Sequence, residues 1–167
     1  INPAATLLNS TGYYVLIDDT AFDDPSSNSY AGISGTTTLN FTTEADTTNP
    51  TLSSSSPIDG ATGVGFDELI ILTFSEVVDV ETGNITIKKL SDNSIVESIA
   101  VGSTKVTGTG TTQITINPAI SLPELTAYYI NIDDTAFDDT ASNSYAGIGD
   151  VTTLNFATKA DRLPTPL

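Results

Sequence analysis

Cysteine, methionine, tryptophan and histidine are all missing from this chain. Their absence excludes disulfide staples, thiolate nucleophiles, imidazole general bases and most zinc or copper sites. Basic residues are scarce as well, 5 against 21 acidic, which gives a formal net charge of -16. A field of that sign repels phosphate backbones and anionic lipid, so nucleic acid and membrane surfaces are not expected partners. No apolar run approaches the roughly 18–20 residues that a membrane-spanning helix needs. The N-terminus carries no signal-peptide pattern, and the sequence reads as an internal window of something larger.

What remains is a chain rich in Thr, Ser, Val, Ile and Gly, a composition that favours strands and turns over helices. Clustered carboxylates make divalent cations the natural counter-species. Solubility in a salty environment is the competing reading of the overall charge.

The strongest signal is internal repetition. Residues 1–52 laid over residues 116–167 match without gaps at about 32 positions, a period of 115 residues. IDDTAFDD at 17–24 recurs at 132–139, SNSYAGI at 27–33 recurs at 142–148, and TTLNF at 37–41 recurs at 152–156. The expected organisation is a partial copy over 1–44, a linker over 45–50, a complete copy over 51–158, and a linker or start of a further repeat over 159–167.

Period-2 alternation bounded by Gly, Pro, Asn and Asp predicts seven strands in the complete copy. They fall near Thr51–Ser55 and at Leu69–Ser75, Asn84–Leu90, Ile95–Val101, Thr112–Asn117, Ala127–Asp133 and Val151–Thr158. Seven short strands with frequent turns indicate a sandwich of two sheets. Its inward residues would be Ile70, Leu72, Phe74, Ile85, Ile87, Ile114, Ile116, Tyr128, Ile130, Ile132, Leu154 and Phe156. Tyr128 stands six residues after Leu122, where such sandwiches place a tyrosine bonded to nearby backbone, and Leu7 and Tyr13 repeat that spacing.

The runs NPTLSSSSPIDGATGV, IILTFSEVVD and GNITI, with the tail containing YYINID and NFAT, resemble the bacterial immunoglobulin-like domain of S-layer proteins and large surface adhesins. The resemblance implies an all-β, immunoglobulin-like Greek-key β-sandwich, used as a repeated stalk or lattice module on the bacterial cell surface, without catalysis. This chain departs from the family pattern in the loop between its last two strands. That loop is longer and more acidic than the family's usual short Asp-x-x-Gly-Asn turn.

The acidic residues gather at one pole of the expected sandwich. Asp46 of the linker, Asp79 after the second strand, and Asp133, Asp134, Asp138 and Asp139 of the last loop would converge there, with Asp18, Asp19, Asp23 and Asp24 as their counterparts in the partial copy. Converging carboxylates repel one another unless a cation is present, and Ca2+ takes six to eight oxygens in flexible geometry. Calcium at the junction of domains is therefore one expectation, with Asp133, Asp138 and Asp46 the leading ligands and Asp59, Asp67 or Glu68 the fallback at the other pole. The spacing is not that of an EF-hand. The alternative is structural: Asp133, Asp138 and Asn143 cap turns, with Phe137 and Tyr145 packed beneath.

Catalysis would have to rest on carboxylate pairs, yet adjacent Asp residues in extended chain point to opposite faces. The chain is therefore expected not to be an enzyme. Tyr30, Tyr129 and Tyr145 leave a carbohydrate-binding accessory role open. Asn9, Asn40 and Asn84 match the N-glycosylation triplet, which a Thr-rich chain produces by chance. Lys88 and Lys105 are the candidates for a lysine–asparagine isopeptide cross-link. The leading functional expectation is an extracellular spacer whose partners are neighbouring repeats, and the alternative is a fibre subunit joined to other copies of itself by strand complementation.

Overall fold

The computed structural model describes residues 2–161; the expected opening of a further repeat lies mostly outside the described residues. Every regular element among them is a strand. No described helix is long and apolar enough to cross a membrane, which leaves strand-built spanning untouched. The chain divides into two compact units, Ile1–Thr47 and Thr48–Leu167.

The first unit holds β1 (Gly12–Tyr14) and β2 (Asn40–Thr42), an antiparallel pair in which Tyr13 faces Phe41. Its alternation is half expressed: Tyr13, Val15 and Ile17 are half-buried, while Tyr14 and Leu16 between them are exposed. The pairing continues beyond β1, where Val15 N–H donates to the Leu39 carbonyl and Ile17 exchanges both backbone bonds with Ile33.

The second unit is a sandwich of two five-stranded sheets. Its elements are β3 (Leu52–Ser56), β4 (Ala61–Val64), β5 (Ile70–Val80), β6 (Asn84–Lys89), β7 (Ile95–Ala100), β8 (Val106–Thr107), β9 (Thr111–Ile116), β10 (Ala127–Ile132), β11 (Phe137–Asp139) and β12 (Asn155–Thr158). One sheet runs β4-β12-β10-β6-β7 and the other joins β11, β5, β9 and β8, with β3 also on β5. All the pairs are antiparallel except β4 with β12, which are parallel. That exception brings the start and the end of the unit side by side in one sheet.

Period-2 alternation places the core. Ile70, Leu72 and Phe74 of β5 and Ile114 and Ile116 of β9 meet Ile85, Ile87, Tyr128, Ile130, Ile132 and Phe156 from the facing sheet, all buried. Leu154, just before β12, is buried with them, so every residue assigned inward from the sequence lies in the core. Tyr128 is fully buried, and its hydroxyl donates to the Pro123 carbonyl at 3.4 Å, closing the corner that its spacing from Leu122 suggested. In the first unit the polarity reverses: Leu8 N–H donates to the Tyr13 hydroxyl at 2.8 Å. Proline at 123 has no N–H to give, so there the phenol becomes the donor.

Three strands were not expected, namely β4, β8 and β11, and the final strand starts later than Val151. Residues 151–154 are bent around Asp150, whose carboxylate accepts N–H and hydroxyl bonds from both Thr152 and Thr153. Those bonds hold the Asp150 carboxyl far below the usual range. The sugar-platform expectation fails for two of its three tyrosines, since Tyr129 and Tyr145 are buried. Lys105 forms a 2.7 Å ion pair with Glu97, its side chain still 40% exposed, so it is not the buried lysine that an isopeptide bond would require.

Candidate functional site: the acidic loop after β10

The loop between β10 and β12 is shaped by its own carboxylates. Asp133 follows directly on β10, and its Oδ2 accepts the Asn84 N–H at 2.8 Å, tying the loop to the first residue of β6. Gly83, at φ +106, lets the chain pass here, because a Cβ at that position would lie 3.0 Å from the Asp133 carboxylate. Backbone bonds from Glu81 to Ala136 and from Thr82 to Thr135 stitch the same two segments together.

β11 then pairs with the far end of β5, placing Phe137 opposite Val80, Asp138 opposite Asp79 and Asp139 opposite Val78. Strand alternation decides the fate of each residue. Phe137 and Asp139 are buried, whereas Asp138 is half-buried beside an equally half-buried Asp79. Phe137 and Tyr145 pack against Phe74, with ring centroids 5.3 and 5.1 Å away. Burial pushes the Tyr145 phenol up to about 12.

Asp139 is the keystone of the turn. Its Oδ1 accepts the N–H groups of Ala141 and Asn143, and its Oδ2 accepts the Asn143 side-chain amide, each at 2.8 Å. Burial pushes its carboxyl up, but the Asn143 side chain and the backbone amides of Asn143, Ala141 and Ser142 outweigh it and leave the group below its ordinary value. The capping expectation thus holds in kind and shifts by one residue, from Asp138 to Asp139, and Phe137 and Tyr145 do pack beneath.

The first unit carries the same turn 115 residues earlier. Asp24 accepts N–H bonds from Ser26 and Asn28 and the Asn28 side-chain amide, at 2.8 to 2.9 Å. The bridges Ile17–Ile33 and Asp23–Ser29 match Ile132–Ile148 and Asp138–Ser144. The aromatic floor differs between the two. Phe22 and Tyr30 keep the 6.5 Å ring separation of Phe137 and Tyr145 but are 59% and 44% exposed, against 0% and 6%. Tyr30 is thus the one exposed ring of the three tyrosines considered for sugar.

The expected calcium ligands do not all share one unit. Asp46 lies in the first, where Asn9 Nδ2 donates to its Oδ2 at 3.0 Å, and so do Asp18, Asp19, Asp23 and Asp24. Asp79, Asp133, Asp134, Asp138 and Asp139 lie in the second. Within the second unit only Asp79 and Asp138 are placed directly opposite one another. Asp134 is exposed, and Asp133 and Asp139 are committed to backbone donors.

A family model described as the bacterial Ig-like domain matches residues 46–158. The chain belongs to the bacterial Ig-like family. Domains of this family are typically structural modules without catalytic activity, and the all-β sandwich of the second unit is of that type. Among solved structures, this bacterial Ig-like chain is similar to one titled "Crystal structure of the S-layer protein rSbsC(31-844)". The identity is 15% and the TM-score 0.44, over 67% of this chain and 14% of that one. Among curated proteins, none matches. Of the three strands that were not expected, the one that shapes this loop is β11, whose signal in the sequence is the inward alternation of Phe137 and Asp139.

Proposed function

We propose that the chain is a load-bearing spacer from an extracellular bacterial surface protein, in which sandwiches of this type follow one another in tandem at a 115-residue period. The observation that carries this reading is the parallel pairing of β4 with β12. Gly60 N–H donates to the Asn155 carbonyl and Lys159 N–H to the Val64 carbonyl, so the ladder ties the entry of the module to its exit. Two parallel strands drawn from opposite ends slide past one another, and their hydrogen bonds are loaded together rather than opened in sequence. A module wired in this way resists tension along a stalk.

Pulling a chain of several copies of residues 48–161 should give equal unfolding steps. Each would lengthen the chain by roughly 350 Å, the extended length of one module less its folded span. Lys159→Pro deletes the amide that bonds Val64 and should lower the peak force. Smooth extension without discrete peaks would reject the spacer reading.

Calcium is a second reading, favoured by Asp79 and Asp138. Like charges directly opposite in a ladder destabilise it, and a bound cation reverses that sign. The module should then gain about 2.7 kcal/mol in thermal unfolding when free Ca2+ stands 100-fold above its dissociation constant. An Asp79→Asn/Asp138→Asn variant should melt higher than the native chain in chelator and fail to respond to calcium. A native midpoint indifferent to millimolar calcium would leave the pair as two hydrated carboxylates.

A further inference from the structure

β1 belongs to a two-stranded sheet, so one of its edges carries no strand among the described residues. Val15 and Ile17 donate their N–H groups within the hairpin. By alternation, Tyr14 and Leu16 present theirs to the open edge. The second unit displays the same strand with that edge occupied. There β6 pairs antiparallel with β10, placing Lys88 opposite Tyr129, Ile87 opposite Ile130 and Ile85 opposite Ile132.

Tyr14 is the counterpart of Tyr129 at the 115-residue offset, and the two rings live differently. Tyr14 is 55% exposed. Tyr129 is 4% exposed, with Lys88 Nζ 5.8 Å from its ring centroid and its hydroxyl donating to Asn93 Oδ1 at 3.1 Å. Both of those partners come from β6 and the turn after it. Charge points the same way. Residues 1–47 contain Asp18, Asp19, Asp23, Asp24, Glu44 and Asp46 and no Lys or Arg, whereas β6 carries Lys88 and Lys89, two of the five basic residues of the chain.

We propose that the open edge of β1 accepts an antiparallel strand with the chemistry of β6, two branched aliphatics at alternate positions followed by lysine, with a lysine seated over the ring of Tyr14. The inference rests on reading the first unit as a second copy of the β10–β12 hairpin. Strand addition supplies main-chain bonds to Tyr14 and Leu16, the aliphatics cover Val15 and Ile17, and the lysine answers an all-acidic unit. A second copy of the first unit is not the occupant, because it would bring six acids against six with no cation between them.

The test adds a synthetic peptide of residues 83–94 to the whole chain and follows amide exchange residue by residue. Before addition, Val15 and Ile17 should exchange more slowly than Tyr14 and Leu16. The peptide should then protect Tyr14 and Leu16 while leaving Tyr129 and Asn131 of the second unit unchanged. Replacing Lys88 and Lys89 of the peptide by alanine, or Tyr14 of the chain by serine, should weaken binding by roughly fivefold or more. Raising the salt should weaken the native peptide as well.

If Val15 and Ile17 are unprotected with and without peptide, the hairpin reading fails and takes the inference with it. If they are protected while the peptide adds nothing at Tyr14 and Leu16, the inference alone is overturned. It is equally overturned if a scrambled peptide of the same composition binds as well, or if sedimentation shows the chain pairing with itself through these amides.

Discussion

Replacing Phe74 with alanine is expected to destabilise the second unit by about 3–5 kcal/mol, the usual cost of emptying an aromatic position in a packed core. Phe74 is buried on β5 and touches two rings from the loop after β10, Phe137 at 5.3 Å and Tyr145 edge-on at 5.1 Å. Its removal takes away hydrophobic burial and opens a void that the neighbouring strands cannot collapse to fill. It also takes the support from under the acidic turn, so the Tyr145 phenol, now held up by burial, should return toward its ordinary range. Chemical denaturation measures the first effect and ultraviolet titration of tyrosine the second. Ser98→Ala, at an exposed position of β7, should stay within about 0.5 kcal/mol. A Phe74→Ala loss below about 1 kcal/mol would mean that the aromatic trio is not packed as described.

The second large effect concerns Asp139. Asp139→Ala leaves the Ala141 and Asn143 amides and the Asn143 side chain without the buried carboxylate that accepts them, in a turn that is itself only partly buried, and should cost about 1–2 kcal/mol. Asp24→Ala removes the same bonds from an exposed turn and should cost far less, because water replaces them. The acid dependence follows from the sign of the shift. The carboxyl of Asp139 is lower in the folded chain than in the unfolded one, so the unfolded state takes up its proton first as pH falls. Its contribution is complete above about pH 4 and disappears as pH drops through the folded value. Asp139→Asn keeps an acceptor but no titrating group, so its stability should fall less steeply in acid than that of the native chain. Equal acid slopes for the two proteins would show that Asp139 does not anchor the turn.

The sandwich was legible where burial wrote a clean alternation. Ile85 and Ile87, like Ile114 and Ile116, stand two residues apart between polar neighbours, and only a half-buried strand satisfies that pattern. The missed strands lack such writing. β4 reads ATGV, with a glycine at φ +73 inside it, and β8 is a two-residue pairing that tertiary contacts create. Tyr129 misled for another reason: its position in the alternation is outward, as expected, yet Lys88 and the turn bearing Asn93 close over it from the neighbouring strand. The same limit touched the acidic loop. That its aspartates cap turns was readable from Asp and Asn spacing, but whether Asp138 or Asp139 does so depends on the frame in which β11 pairs with β5, and two consecutive aspartates do not reveal that frame.

The parallel ladder of β4 and β12 also has a kinetic side. Its partners Ala61 and Phe156 are separated by nearly the whole length of the module, so the loop closed by their meeting is close to the longest the unit can offer. Pairings of such long sequence separation pay their closure entropy before any contact rewards it, and they form slowly. As the chain emerges during synthesis, β3 can pair with β5 and β6 with β7 early, but β4 must wait for the final strand. The module therefore locks only once its last residues are free, and until then its first short strand stays without a partner.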